Sequence, residues 1–218
     1  MTALNPVFRI GDQVDEVLAL HNEKGHDEAQ IKARTIELLE MVGIANSEGV
    51  YKMFPHELSG GMRQRVMIAM ALACSPKLII ADEPISALDM SIRAQVLNLL
   101  RHLQKERGIT YLFIAHDLSV MRYISDRIAV IHKGDIVELA DAEELVTHAI
   151  HPYTRSLLSA IPMPSPRRER QKKLLVYDPS IHDYSVDKPV WEEIANGHFV
   201  YGNQKELEGY RKEYQSQL

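Results

Sequence analysis

The sequence predicts an α/β fold built on a parallel sheet, and three observations point to it. Leu78-Ile79-Ile80-Ala81 is a short unbroken apolar run, the pattern of a parallel strand covered on both faces. Behind Asp89, Ile92, Val96, Leu99, Leu100 and Leu103 recur at helical spacing, and Gly108 is placed to end that helix. Thr110–Ala115 then reads as a second strand, so strand, helix and strand make one βαβ step. With 218 residues, 45% of them apolar, the chain can fill a domain of ordinary size.

Taken in order, the chain opens on a turn-like Asn5-Pro6 and an apolar Val7-Phe8, as though it begins inside a fold without a disordered leader. Val14, Val17, Leu18 and Leu20 give a short apolar stripe. Asp27 and Gln30 have the spacing of a capping box for a second helix, with Ile31, Leu38, Leu39 and Val42 on one face and Gly43 at its end. Ser59-Gly60-Gly61 opens a third helix running from Met62 to Cys74, which Pro76 stops. The unpaired N–H groups of that helix start and its positive dipole end suit a phosphate-sized anion.

Asp82 and Glu83 close the first strand at its carboxyl end, the edge at which open α/β sheets bind ligands. Two adjacent carboxylates there suit Mg-assisted phosphate chemistry, one holding hydrated Mg²⁺ and the other polarising a water. His116 ends the second strand. Its imidazole can donate to a phosphate oxygen or hold an attacking water, or it simply leads into a helix capped through Asp117. Residues 127–132 and 135–140 form a hairpin around Lys133-Gly134, and Asp141 with Glu144 begins another capped helix. Near the end, His151–Leu158 is an amphipathic helix with proline at its start. Leu207, Tyr210 and Tyr214 mark one face of a closing helix.

Composition narrows the classes. A net charge of −5 argues against a nucleic-acid surface spanning the domain. The single Cys74 allows no intramolecular disulfide or cysteine-based metal site, and its place on the third helix suggests a small core residue. No signal-peptide-like segment follows Met1, and no apolar run approaches the ~18 residues of a membrane span. His182 and His198 form no strong metal-ligating spacing with neighbouring carboxylates. PMPSPRRERQKK, residues 162–173, reads as a proline-broken basic linker.

The stretch 58–89 resembles the ATP-binding-cassette (ABC) ATPases. LSGGMRQ is similar to their signature motif, with Met62 where glutamine is commonest, LIIADE to Walker B, SALD to the D-loop, and the strand ending in His116 to their switch strand. The resemblance implies a P-loop NTPase fold of the ABC type, present in part: a helical signature subdomain over 1–75, the Walker B, D-loop and switch part of the nucleotide-binding core over 76–146, and an extension over 147–218. It implies ATP and Mg²⁺ as cofactors. Ser59, Gly60, Gly61, Met62, Gln64 and Asp89 are the expected nucleotide contacts, Asp82 the Mg²⁺ residue acting through water, and Glu83 and His116 the catalytic base and γ-phosphate sensor.

HPYTRSLLSAIP and HDYSVDKPVWEEIANGHFV resemble the ATPases of bacterial oligopeptide and dipeptide importers. The implied partners are a second ATPase subunit in a head-to-tail dimer, transmembrane permease subunits and, indirectly, a peptide-binding protein, with no nucleic acid. The implied location is the cytoplasmic side of the membrane, peripherally bound. Some relatives carry an iron–sulfur cluster in a cysteine-rich tail; with Cys74 alone, none is expected.

Two features of that family are absent from these residues. No Gly-Lys dipeptide occurs, so there is no Walker A loop to wrap the β- and γ-phosphates, and the Q-loop glutamine would precede Met1. The chain therefore reads as N-terminally truncated relative to the family and inactive in isolation, supplying the signature side of a composite site. A non-catalytic remnant or binding module is one alternative, and an ABC ATPase without membrane partners is the other.

Overall fold

The computed structural model describes residues 4–21, 25–162 and 172–217. Most of the basic linker lies outside the described residues. The chain divides into two compact units, the division falling between Ala115 and His116.

Five α-helices and one strand pair, among the described residues, make the first unit. Helices α1 (Ile10–Leu20), α2 (Glu28–Met41) and α4 (Gly60–Ala73) pack on one another, with the short α3 (Ser47–Tyr51) against α1 and α2. Ile10, Val14, Leu38, Leu39, Val42, Val66 and Ala69 are fully or almost fully buried among them. The capping box of Asp27 and Gln30 is present, with Gln30 N bonded to Asp27 Oδ1 at 2.9 Å and Asp27 N to Gln30 Oε1 at 3.0 Å. A half-buried Asp15 on α1 ties α1 to α2 and α3, accepting from the hydroxyls of Thr35 and Tyr51 at 2.5 Å each.

Strand β1 (Leu78–Asp82) runs parallel to β2 (Thr110–Ile114), with Ile80 opposite Leu112, and helix α5 (Met90–Arg107) makes the crossover. Gly108 ends α5 in a left-handed conformation, φ 64°, which costs glycine nothing. The expectation of a strand covered on both faces is corrected here. Leu78 and Ile80 are 52% and 64% exposed, as are Leu112 and Ile114 at 52% and 44%, because β1 and β2 pair only with each other among the described residues and one face of the pair is bare. Cys74 is likewise exposed, at the C-cap of α4 where the chain leaves the helix packing.

The second unit is built on a four-stranded antiparallel sheet ordered β3-β4-β6-β5, with β3 (Arg127–His132), β4 (Asp135–Asp141), β5 (Val190–Ala195) and β6 (His198–Gly202). Lys133 and Gly134 both take positive φ, 51° and 98°, as a two-residue hairpin turn requires. Helices α6 (Leu118–Ile124), α7 (Ala142–Thr147), α8 (Pro152–Ala160) and α9 (Gln204–Gln217) complete the unit. Ile128, Val130, Val137, Ala140 and Leu145 form one core, with Tyr153 and Leu157 of α8 against it. Ile150, Val200, Leu207 and Tyr210 form a second, with Tyr214 packed on it. The capping box expected of Asp141 and Glu144 does not form. Asp141 makes no side-chain cap bond, and Glu144 turns instead to His148 at 3.0 Å and His198 at 3.3 Å.

Candidate functional site

Ser59 is the N-cap of α4, in extended backbone, and its hydroxyl accepts from Met62 N at 3.3 Å. One helix-start donor is thereby satisfied, which leaves the amides of Gly60 and Gly61 as first-turn groups without a partner inside the helix. Ser59 is exposed while Gly60, Gly61 and Met62 are half-buried. The turn therefore presents amides and a positive helix end outward, a geometry that favours a phosphate oxygen over neutral groups.

Asp82 ends β1 and is exposed; Glu83 follows in the left-handed region at φ 46°. A glutamate there is held against its own preference, and the backbone shows how. Its N–H bonds Ile114 O at 2.9 Å, continuing the parallel ladder one residue beyond β1, and its carbonyl accepts from Ser86 Oγ at 3.0 Å. The pinned turn fixes the direction in which the Glu83 side chain leaves. A cavity of about 420 Å³ lies beside it, lined by Gln64, Asp82, Glu83, Ser86 and Leu88 among others. Gln64, expected as a nucleotide contact next to Ser59, is thus buried on α4 and shares a cavity with the carboxylates.

Asp89 is the N-cap residue of α5, but its carboxylate makes no cap bond and is exposed. It is free to meet a group from outside. His116 opens the second unit and is exposed, and Asp117 beside it caps α6 by accepting from Ser119 N at 2.9 Å. Among the described residues no group of three or more His, Cys, Asp or Glu side chains is arranged to hold a metal.

Sequence reasoning missed a polar network in the second unit. Glu138 is fully buried on β4 and accepts from the backbone N–H groups of Ile150 at 2.7 Å and His151 at 3.1 Å, while His198 Nε2 lies 2.8 Å from its Oε1. Burial works against charge on His198, but hydrogen bonds and charge from Glu138, then Glu144, outweigh it and raise its pKa. His151, 1% exposed, accepts from Tyr153 N to cap α8, and burial first, then the neighbouring His182 and His132, lower its pKa to about 3. His182 pairs with Glu206 at 2.6 Å. The available signal was the Asn196-Gly197 turn between two alternating runs, which marks the hairpin that brings His198 to Glu138.

The profile of the ABC transporter family matches residues 3–86, the part that carries the α4 turn and the Asp82-Glu83 strand end, and the class is therefore an ABC-type ATP-binding cassette. A second profile, that of the oligopeptide/dipeptide transporter C-terminal region, matches residues 137–186. The chain is 59% identical over 186 residues to the oligopeptide transport ATP-binding protein OppF of Streptococcus pyogenes serotype M1, a match covering 85% of this chain and 60% of that protein. With OppF of Bacillus subtilis it shares 50% over 209 residues, 95% of this chain and 68% of the relative. The dimeric post-hydrolysis structure of the cassette MJ0796 bound to ADP and Pi superposes with a TM-score of 0.57 at 31% identity, over 64% of this chain and 59% of that one. The chain belongs to the family of ATP-binding proteins of oligopeptide and dipeptide ABC transporters. It spans about 60% of the length of the Streptococcus relative.

Proposed function

We propose that the protein acts as an ATP-binding subunit of a peptide importer and supplies the signature side of a composite ATP site. The observation that carries this is the outward-facing first turn of α4, where Ser59, Gly60 and Gly61 present a helix N-terminus with Asp89 standing uncapped at the start of α5. A partner cassette holds ATP by its own phosphate loop, and this turn caps the γ-phosphate. Asp82 is the residue that holds Mg²⁺, which supplies positive charge against the phosphates; Glu83 is the base and His116 the γ-phosphate contact of the chain's own side. Closure of the two cassettes drives permease subunits, at the cytoplasmic face of the membrane. The peptide-recognising subunit is separate.

A second arrangement is favoured by the bare face of the β1–β2 pair: a segment outside these residues covers it and brings a phosphate-gripping loop to Asp82 and Glu83. Two measurements test these arrangements, and the second separates them. Titration of the purified chain with Mg-ATP should give no binding at or below micromolar concentrations; tight binding would refute the composite-site reading. In the reconstituted transporter, Glu83→Gln and His116→Ala should leave turnover nearly unchanged if only the signature side is used. Under the second arrangement Glu83→Gln should lower turnover beyond the ~10²–10⁴ of general-base action.

A further inference from the structure

We propose that Arg65, with Ile92 and Gln95, is a positioning device that fixes the signature turn to α5, so that Ser59–Gly61 and Asp89 reach a nucleotide as one rigid piece. This rests on the reading that the turn meets a nucleotide. The Arg65 guanidinium bridges two helices: Nη1 donates to Val42 O, the C-cap of α2, at 2.5 Å, and Nη2 to Gln95 Oε1 of α5 at 3.2 Å. A planar fork can hold two acceptors in fixed directions where an ammonium cannot. The chain makes room for it. Gly43 has φ 79°, and a Cβ there would stand 2.7 Å from Arg65 Nη1.

The turn meets α5 a second time, since a Cβ on Gly61 would lie 2.6 Å from Ile92 Cγ2. Ile92 and Asp89 belong to the same first turn of α5, in which Arg93 N bonds Asp89 O at 2.8 Å. Beside these contacts is a cavity of about 400 Å³, bordered by Ser59, Gly61, Met62, Arg65, Ile92 and Gln95. A turn backed by a cavity is not located by dense packing, so its position depends on the contacts that cross the gap. Arg65 is a positioning residue, because it acts through the turn.

The test is hydrogen–deuterium exchange of the full chain, read at Met62 and Arg63, whose N–H groups bond Ser59. Arg65→Met and Gln95→Leu should speed their exchange about tenfold or more, the scale of a lost charge-assisted hydrogen bond. Gln95→Glu, which keeps an acceptor, should restore near-wild-type exchange. In the reconstituted transporter, the same two variants should raise KM for ATP several-fold with kcat little changed, whereas a merely structural bridge would lower melting temperature and kcat together. Unchanged exchange in both variants overturns the proposal. Should the wild-type reconstitution turn over no ATP, the functional reading fails, while the exchange data still decide whether the bridge holds the turn.

Discussion

In the first unit Ser59, Asp82 and Asp89 stand exposed at the ends of α4, β1 and α5, whereas in the second Glu138, His151 and His198 are buried and bonded to backbone or to each other. The contrast separates two uses of polar chemistry. An exposed group at an element end makes at most one cap bond to its own fold, as Ser59 does to Met62 N, and keeps its remaining bonding capacity for an outside ligand. A buried pair makes its bonds internally, so that removing one partner leaves the other unpaired in a poor solvent. Substitutions at Asp82 and Asp89 should therefore change turnover with little change in stability, and those at Glu138, His151 and His198 should do the reverse.

The largest expected effect on stability is at Glu138. Glu138→Ala removes the nearer partner of His198 and strands two backbone N–H groups, and unfolding of the full chain in urea should show a loss of about 3–5 kcal/mol. A loss under ~1 kcal/mol would mean that water replaces the carboxylate and that the second unit is not organised around it.

A pH titration of stability sharpens the same contrast. His151 has its pKa lowered in the fold, so its contribution is present above about 6.5, the ordinary histidine value, and is lost as pH falls toward about 3. The slope should approach ~1.4 kcal/mol per pH unit in that window, and His151→Asn, which keeps a capping side chain, should flatten it. His198 has its pKa raised, so its contribution is present below 6.5 and is lost as pH rises through the folded value. Stability of the second unit should thus fall on both sides of neutrality.

A smaller effect is expected at Gly43. Gly43→Ala forces a side chain into the left-handed region and against Arg65, and should cost roughly 1–2 kcal/mol, seen as a lower urea midpoint. The smallest concerns the two aspartate N-caps of the first unit. Asp27→Ala should cost about 0.5–2 kcal/mol because its cap bond is real, and Asp89→Ala should stay within ~0.5 kcal/mol because no such bond exists. Equal losses at both sites would place Asp89 among the structural caps.

What was legible in the sequence was local. The α4 turn, β1, α5 and β2 follow from glycines, a proline, apolar periodicity and cap residues within a few positions of one another, and they fold as read. Side-chain commitments were less legible. Asp89 and Asp141 occupy N-cap positions without making the bond, because backbone position and side-chain partner are chosen separately. The exposure of Leu78 and Ile80 depends on which elements cover a sheet face, which an apolar run does not encode. The Glu138–His198 pair joins residues 60 apart in sequence, through a sheet in which β4 lies beside β6. Periodicity carries no record of such pairings.

The central claim is that the first turn of α4 is presented to a nucleotide held elsewhere. ATP turnover of the chain reconstituted with its neighbouring transporter subunits, wild type against Ser59→Arg, tests it most directly. The account predicts that Ser59→Arg removes turnover, because the cationic side chain fills the place of the γ-phosphate, while stability falls only by about 1 kcal/mol, the cost of losing the one N-cap bond to Met62 N. Wild-type turnover in Ser59→Arg would contradict it.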